Sequence, residues 1–449
     1  METPKVIADP IYGIIDVRSV LPMIETREFQ ALDDKRQLGM SYLTFPSATH
    51  SRKAHSLGAY HATRELARHW VERKIITRRE ADALAGYALY HDIGHPPFSH
   101  VTEPLCVLPG GVVGDPGKKS GGKGNSMKEP HRMSMNSAMS LAIIQRRKKE
   151  IEACGIDFTL LESFAAHRNS LHLAVSDKNL GMEKLDYLER DGLFTILSRP
   201  IGVDYLRAHI YFIDGRLAID EKAVDNAIEV QNYYLKIYKN VYLRKTSAIA
   251  QRMIQKMVYH MITAGELAAD ELVGLTDSEL VGMMRVSSDP IVISLYENLR
   301  SRNLFRESTV IRPENFEHIG LRPGKPITVF GVSAQKIRAL AANSAFQEKN
   351  QAGLENLESE IAMITGIPEL DILVTPIGSP DRFEAKDIMI YAGRGQKLAS
   401  LKARYPAHFK NIEEVAQSYL AFRVCTTEKY RKRLSEPKIA KKVLERIIP

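Results

Sequence analysis

The sequence predicts a mainly α-helical protein with a smaller α/β lobe at its C-terminal end. Apolar residues recur at helical spacing through most of the first 300 residues, whereas short β-branched runs bounded by Pro, Gly or Asp appear after about residue 305. The 449 residues are 44% apolar and 26% charged, which is an ordinary globular composition and enough chain for more than one lobe. We therefore divide the chain into a helical part, 1–305, and an α/β lobe, 306–449.

The helical part contains two clear amphipathic segments. In the first, after His55, apolar residues follow helical spacing between positions 57 and 71. The second runs from 81 to 89 and stops before Gly94, Pro96 and Pro97, because proline cannot continue a helix. Residues 130–300 again look helical, and their stretch 221–265 contains no proline. The same patterns predict strands at 327–332, 370–377 and 387–392, with a helix over 334–366.

One low-complexity segment, PGGVVGDPGKKSGGKGNS at 109–126, interrupts the helical part. Its glycines and lysines predict a flexible surface loop. It lacks the spacing of a phosphate-binding loop, and no apolar strand leads into it, so the sequence favours a basic insertion near a site entrance.

Charge and cysteine content narrow the class of protein. Lys and Arg total 62 against 54 Asp and Glu, and the net charge of +8 suits phosphate-bearing partners. The basic run at 146–149 adds nucleic acid as a candidate partner, although such a run is more often a solvated helix face. The three isolated cysteines exclude a disulfide framework, and no stretch reaches the roughly 18–20 apolar residues of a membrane helix. The N-terminus lacks a signal-peptide pattern, so we expect a cytoplasmic protein without a membrane partner.

The densest cluster of chemically active residues is YHDIGHPPFSH at 90–100. His91 and Asp92 end a predicted helix and are good ligands for Mn, Fe or Zn, but two adjacent residues cannot complete a site. Other segments could contribute His55 and the acidic stripe Glu183, Tyr187 and Asp191, whose spacing of four places them on one helix face. Residue types and spacing alone leave a metal site and ordinary packed histidines with salt bridges both open.

Three segments together resemble a known family. QLGMSYLTFPSATHSRKAHSLG (37–58), YHDIGHPPFSH (90–100) and EKLDYLERD (183–191) are similar, in order and spacing, to the HD-domain deoxynucleoside triphosphate triphosphohydrolases of the HD metallophosphohydrolase superfamily. That group includes the human dNTPase that carries an added sterile-alpha-motif domain, which we do not expect in this chain. The resemblance implies an HD-domain helical bundle core, metal-dependent hydrolysis of dNTPs to deoxynucleoside and inorganic triphosphate, and a homodimer or homotetramer.

The resemblance also assigns the metal ligands. It implies a divalent metal (Mn, Fe, Mg or Zn) held by His55, His91, Asp92 and Glu183. Family members have Asp where this chain has Glu183, and Asp186 is the fallback ligand.

The remaining assignments concern catalysis and substrate. The resemblance implies active-site roles for His95, His100 and His131, with His100 and its acidic partner Glu103 favoured to protonate the leaving 5′ oxygen. The implied substrate contacts are Arg52 and Lys184 to phosphates, Tyr187 to the deoxyribose, and Gln37 and Asp191 to the 3′-hydroxyl.

Several positions depart from the family pattern. Arg132 stands where a Glu usually follows His131, and Asp33 ends the triplet that is usually Arg-Leu-Arg, so activation by guanine nucleotide in the family's manner is not expected. Arg244 replaces a usual His, and Asn240 replaces an arginine, for which Lys239 or Lys245 could compensate. Two alternatives therefore stand beside a dNTPase: an HD phosphohydrolase acting on another nucleotide or phosphate ester, and a catalytically altered nucleotide sensor.

Overall fold

The computed structural model describes residues 5–107, 133–316, 319–322, 324–377, 385–393 and 397–448. The predicted loop at 109–126, together with His131 and Arg132, lies outside these residues. The described part of the helical region contains the helices α1 (Leu21–Ile24), α2 (Arg27–Ala31), α3 (Arg52–Glu72), α4 (Arg78–Tyr90), α5 (Met135–Arg146), α6 (Lys148–Ala153), α7 (Phe158–Ala165), α8 (Leu173–Ser176), α9 (Met182–Thr195), α10 (Val203–Ala208), α11 (Val224–Ile237), α12 (Lys245–Thr263), α13 (Asp277–Arg285) and α14 (Pro290–Arg300).

The α/β lobe adds six helices and most of the strands among the described residues. The helices are α15 (Ala334–Ala342), α16 (Gln351–Thr365), α17 (Leu401–Arg404), α18 (Pro406–Ser418), α19 (Arg431–Ser435) and α20 (Pro437–Ile447). The strands of the chain are β1 (Val6–Asp9), β2 (Gly13–Asp16), β3 (Ile210–Ile213), β4 (Arg216–Asp220), β5 (Arg306–Pro313), β6 (Gly320–Leu321), β7 (Thr328–Val332), β8 (Ile372–Thr375), β9 (Met389–Tyr391), β10 (Ala399–Ser400) and β11 (Phe422–Thr426). The protein is thus mainly α-helical, as predicted, and none of the described helices is long and apolar enough to cross a membrane.

Helix α3 is the centre of the helical part and packs against both α4 and α9. It begins after Ser51, whose hydroxyl accepts a hydrogen bond from the Ala54 amide, a common way to satisfy a free amide at a helix start. Near its other end Trp70 is fully buried and donates from its indole nitrogen to the Ile210 carbonyl at 2.8 Å. This arrangement brings the first turn of α3, the end of α4 and the first turns of α9 to one place.

The α/β lobe is built on a five-stranded sheet in the order β6-β7-β5-β11-β8. Strands β5 and β7 are parallel and the other pairs are antiparallel. Helices α16 and α20 pack on one side of the sheet, and β8 also contacts α12 of the helical part. The predicted strands at 327–332, 370–377 and 387–392 correspond to β7, β8 and β9, whereas the predicted helix at 334–366 is divided into α15 and α16.

The prediction of continuous helix over 130–300 was wrong at 210–220. There β3 and β4 form an antiparallel hairpin, with Ile210 opposite Ile219. Its turn residues Asp214 and Gly215 both have positive φ, 50° and 75°, which suits the tight turn between twisted strands. A second hairpin, β1–β2, lies in the N-terminal segment that we expected only to lead into helices.

A second sheet, in the order β10-β9-β4-β3, joins the two parts of the chain. Strand β9 pairs in parallel with β4, so that Ile390 lies beside Ile219. The side chains of Ile388, Leu401 and Phe409 are buried in the same apolar core as the helical part. The change from the helical part to the α/β lobe falls between the end of α14 at Arg300 and the start of β5 at Arg306. The segment after residue 385, however, packs back against the helical part.

Candidate active site

Three buried side chains converge where α3 meets the end of α4. His55 lies in the first turn of α3, and His91 and Asp92 directly follow the last residue of α4. Their nitrogen and oxygen atoms all lie within 4.8 Å of one another. Asp92 is central, because its two oxygens lie 3.7 Å from His55 Nε2 and 3.5 Å from His91 Nε2.

The two histidines use Nδ1 for hydrogen bonds within the protein, so that Nε2 of each ring is the nitrogen that could bind a metal. His91 donates from Nδ1 to the Ala88 carbonyl at 2.7 Å, and its buried Nε2 has no hydrogen-bond partner among the described residues. His55 donates from Nδ1 to Asp186 Oδ2 at 2.7 Å. With both Nδ1 atoms engaged in this way, the two Nε2 atoms and the Asp92 carboxylate are the kinds of ligand that Mn, Fe and Zn prefer, so this group could hold a divalent metal.

Asp186 supports His55 and is not placed as a metal ligand. Besides His55, its carboxylate accepts hydrogen bonds from Arg190 Nε at 3.0 Å and from the Arg190 terminal nitrogen at 2.9 Å. Arg190 in turn pairs with Asp9 at 2.8 Å. Burial opposes ionisation, but Arg190 and His55 together hold the pKa of Asp186 well below its ordinary value. The structure therefore does not favour Asp186 as the fallback ligand that the sequence offered.

Glu183 lies beside the group of His55, His91 and Asp92 without entering it closely. Its Oε2 is 3.9 Å from His91 Nε2, and about a third of its side chain (35%) is accessible. The extra methylene of glutamate lets the carboxylate reach this position from the first turn of α9. Its role as a fourth ligand stays a prediction.

Arg52 provides a buried positive charge next to Asp92. Its guanidinium forms an ion pair with the Asp92 carboxylate, and its Nε donates to Ser99 Oγ at 2.7 Å. Although burial opposes the charge, His91, Arg52 and His95 hold the pKa of Asp92 well below its ordinary value. The carboxylate is therefore ionised at neutral pH.

His95, His100 and Glu103 form a second cluster beside the first. The His95 and His100 rings meet edge to face with centroids 4.9 Å apart, and His100 donates from Nδ1 to Glu103 Oε2 at 2.7 Å. Burial lowers the pKa of His95 to about 3, so this ring is neutral. Burial opposes ionisation of Glu103, yet the bond from His100 lowers its pKa to about 2. The exposed His100 imidazole is thus paired with an ionised carboxylate.

A third cluster surrounds Asp191. One oxygen of its buried carboxylate accepts a hydrogen bond from His50 Nε2 at 2.8 Å, and the other accepts from the Tyr242 hydroxyl at 2.6 Å. Gln37 is tied to the same region, since its backbone amide donates to the His50 carbonyl at 3.1 Å. The side-chain Oε1 of Gln37 is buried without a hydrogen-bond partner among the described residues.

Tyr187 and Lys184 lie on α9 between these clusters. The Tyr187 ring approaches the His55 ring edge to face at 6.3 Å. Lys184 does not point to the candidate metal group, because its ammonium donates to the Lys178 carbonyl at 2.6 Å and lies 3.7 Å above the Tyr234 ring. Burial lowers the pKa of Lys184 to about 8.

Two protein-family models match parts of the chain. Residues 52–153 match the HD domain, and residues 201–323 match the HD associated region. The solved structure of a phosphohydrolase from Bacteroides thetaiotaomicron has the same fold, with a TM-score of 0.64, 21% identity, and 94% of this chain aligned to 100% of that one. The chain is an HD-domain phosphohydrolase.

Two curated relatives cover most of this phosphohydrolase. A putative HD domain-containing protein of Acanthamoeba polyphaga mimivirus is 26% identical over 368 residues, which are 70% of this chain and 75% of that protein. The Dictyostelium discoideum deoxynucleoside triphosphate triphosphohydrolase SAMHD1 homolog is 27% identical over 330 residues, 68% of this chain. The phosphohydrolase matches only 60% of the length of the Dictyostelium protein.

Three residues of the phosphohydrolase site escaped the sequence analysis. His50 lies within the motif at 37–58, and Tyr242 lies between Asn240 and Arg244, two positions that depart from the family pattern. Asn136 donates from its backbone to Glu103 at 3.2 Å and lies 2.8 Å from His95 Nε2 through its side-chain nitrogen. The signal for His50 was its position between Gln37 and Arg52 in the motif, but its partner Asp191 is 141 residues away.

The residues expected to compensate for lost phosphate contacts in the phosphohydrolase have other partners. Lys245 pairs with Glu307 at 2.7 Å, and Lys239 lies 4.9 Å above the Tyr419 ring. Arg244, which replaces a usual histidine, donates to the Asn240 carbonyl at 2.7 Å.

Proposed function

We propose that this protein hydrolyses deoxynucleoside triphosphates to deoxynucleoside and inorganic triphosphate with the help of a divalent metal. The observation that carries the proposal is the adjacency of three clusters: the candidate metal group, the His100–Glu103 pair with His95, and the Asp191 cluster with the unpartnered Oε1 of Gln37. His95 lies 3.3 Å from Asp92, and Tyr187, which shares α9 with Asp191, has its ring 6.3 Å from that of His55. These clusters match the three parts of a dNTP at which the reaction needs contacts. The Dictyostelium relative, whose name describes this activity, supports the same reading.

On the metal side, His55, His91 and Asp92 would hold the cation, with Glu183 as the fourth ligand. A bound Mn, Fe, Mg or Zn ion would polarise a phosphate oxygen and lower the pKa of a nearby water. The free Nε2 of His91 supports this use, because a buried nitrogen without a partner costs stability unless a ligand satisfies it.

On the phosphate side, the chain supplies charge and a proton. Arg52 neutralises phosphate charge beside Asp92, where a buried cation is most effective. His100, held by Glu103, transfers a proton to the leaving 5′ oxygen, and neutral His95 donates a hydrogen bond to a phosphate. His131 completes this group in the proposal. Lys184 would reach a phosphate only after leaving the Lys178 carbonyl.

On the sugar side, Tyr187 packs against the deoxyribose while Gln37 and Asp191 bind the 3′-hydroxyl. A ring pressed against C2′ leaves no room for a 2′-hydroxyl, which would explain a preference for deoxy over ribo substrates. The proposal further includes assembly as a homodimer or homotetramer.

Product analysis tests the proposal. Purified protein is incubated with each of the four dNTPs and with GTP, in Mn²⁺ and then with chelator, and the products are separated by chromatography. We expect metal-dependent release of deoxynucleoside and intact triphosphate. Release of monophosphate and pyrophosphate, or no turnover of any dNTP including mixtures, would contradict it, and a His91→Ala variant controls for contaminating phosphatase.

A second candidate is hydrolysis of another nucleotide or phosphate ester. The observation that favours it is that two of the lysines expected to hold a triphosphate are engaged elsewhere, Lys184 with the Lys178 carbonyl and Lys245 with Glu307. Assaying nucleoside monophosphates and cyclic nucleotides beside the dNTPs distinguishes the two candidate substrate classes.

A nucleotide sensor without turnover would bind nucleotide and release no product. Nucleic acid stays the weaker partner of the proposal, since Arg147 of the basic run is bonded to Glu28 and Glu150.

A further inference from the structure

We propose that His50 is a positioning residue that aligns both contacts to the substrate's 3′-hydroxyl, Asp191 through its side chain and Gln37 through its backbone. The inference rests on the proposed function, since it concerns how the sugar is recognised. It assigns to His50 a role that its place in the motif does not reveal.

The side chain of His50 orients Asp191. Carboxylate oxygens accept hydrogen bonds, so His50 Nε2 donates to Oδ1 and Tyr242 donates to Oδ2. One donor on each oxygen fixes the plane of the carboxylate and leaves further lone pairs for a hydroxyl. Both His50 and Asp191 are 2% exposed, so solvent does not compete for these bonds.

The position of the His50 ring is itself fixed. The ring stacks on Phe194 at 4.9 Å with an angle of 22° between the planes. Phe194 is tied down in turn, because its carbonyl accepts a hydrogen bond from Ser47 Oγ at 2.8 Å. The imidazole therefore has little freedom to turn away from Asp191.

The backbone of His50 positions Gln37. The Gln37 amide donates to the His50 carbonyl at 3.1 Å, and the neighbouring Arg52 amide donates to the Lys35 carbonyl at 2.8 Å. These two bonds join the segment before α3 to residues 35–37 as a short paired stretch, which also includes a bridge between Arg36 and Ser51. One residue thus connects the unpartnered acceptor of Gln37 to the oriented carboxylate of Asp191.

The effect of His50 variants on sugar discrimination tests this role. His50→Leu removes the donor to Asp191 but keeps the backbone bond to Gln37, and His50→Gln keeps a side-chain donor at a similar position. The readouts are kcat and KM for the dNTP that the wild type hydrolyses best and for its 2′,3′-dideoxy counterpart. His61→Leu is the matched control, because His61 also has a buried Nδ1 without a described partner and packs on Tyr12, six residues beyond His55.

We expect His50→Leu to lower kcat/KM for the dNTP by about tenfold, the usual scale for a hydrogen bond to a charged group. It should leave the dideoxy substrate within about twofold, because that substrate has no hydroxyl for Asp191 to bind. His50→Gln should restore most of the discrimination, and His61→Leu should not alter it. In an Asp191→Asn background the His50→Leu change should have little further effect, since the two residues act as one unit.

Two results would overturn the inference separately from the proposed function. Equal losses on both substrates in His50→Leu would mean a merely structural role, with dNTP hydrolysis by the wild type intact. If His50→Leu still discriminates between the dNTP and its dideoxy counterpart as well as the wild type does, His50 does not position the contacts to the 3′-hydroxyl. A wild type that hydrolyses dNTPs without distinguishing the dideoxy compound would refute the 3′-hydroxyl assignment, and a wild type inactive on dNTPs would refute the proposed function and the inference together.

Discussion

Replacing Asp186 by Asn should weaken metal binding, although the Asp186 carboxylate is bonded to His55 and Arg190 and lies outside the candidate metal group. The carboxylate accepts from His55 Nδ1 at 2.7 Å and from Arg190 at 2.9 and 3.0 Å, and it is fully buried. Asparagine has the same shape but one acceptor oxygen and no charge. With its oxygen at the Oδ2 position it keeps the bonds from His55 and Arg190 Nε, but its amide group then faces the Arg190 terminal nitrogen, donor against donor. The imidazole also loses its charged partner and becomes a less basic ligand.

The size of the effect follows from this geometry. Mutating the residue that accepts the outer hydrogen bond of a metal-binding histidine typically costs 10–100-fold in metal affinity, or about 1.4–2.8 kcal/mol. Breaking a buried ion pair costs about 3–5 kcal/mol of stability. We expect the lower end of that range, because Arg190 keeps its pair with Asp9. Asp186→Asn should therefore remain folded at low temperature while binding metal about tenfold or more weakly.

The assay is competition between the protein and a chelator of known affinity, followed by metal analysis of the folded protein. Glu189→Gln is the matched control, because Glu189 is a fully buried carboxylate on the same helix that pairs with Arg199 and Arg207. It should lose stability and keep its metal affinity. Metal binding by folded Asp186→Asn within threefold of wild type, or an equal loss in Glu189→Gln, would refute the reasoning.

Three further outcomes are expected. Burial raises the pKa of Asp277 to about 6, so the folded state holds an extra proton between about pH 4 and 6. The contribution of Asp277 to stability therefore falls as pH rises through that window. Asp277→Asn should remove this pH dependence of the unfolding free energy in denaturant titrations, and the same dependence in both proteins would contradict the prediction. Chelator should lower the melting temperature of the wild type, and added Mn²⁺ should restore it by linkage, whereas His91→Ala should respond to neither. Glu358→Gln should cost about 3–5 kcal/mol in chemical unfolding, because the buried carboxylate pairs with Arg252 and with Lys256 at 2.7 Å, while metal affinity stays unchanged.

The parts of the fold that local pattern determines could be predicted from the sequence. Apolar β-branched runs gave the approximate positions of β7, β8 and β9, and the stop before Gly94 predicted a helix ending at His91 and Asp92, close to the observed end of α4 at Tyr90. The β3–β4 hairpin could also have been predicted, because Asp214–Gly215 between two short apolar runs is a strong turn signal. We instead extended a helical interpretation through it.

The pairings within the site were beyond local pattern. Asp186 looked like a fallback ligand because it shares a helix with Glu183, and only the three-dimensional contact with Arg190 shows that both its oxygens are occupied. The partners of Asp191 lie 141 residues before it and 51 residues after it. Such distances leave no periodic trace in the sequence, so His50 and Tyr242 had to be found from the structure.

The parallel pairing of β9 with β4 has a consequence for how the chain reaches its native state during synthesis. When a ribosome has produced the residues up to Arg300, the helical part still lacks the apolar side chains of Ile388, Ile390 and Phe409 that fill its core. The edge of β4 that pairs with β9 stays uncovered until about 90 more residues have been synthesised, which takes several seconds or more at ordinary translation rates. During that interval an uncovered strand edge invites pairing with other chains, so the nascent protein is a natural client for chaperones that shield such edges.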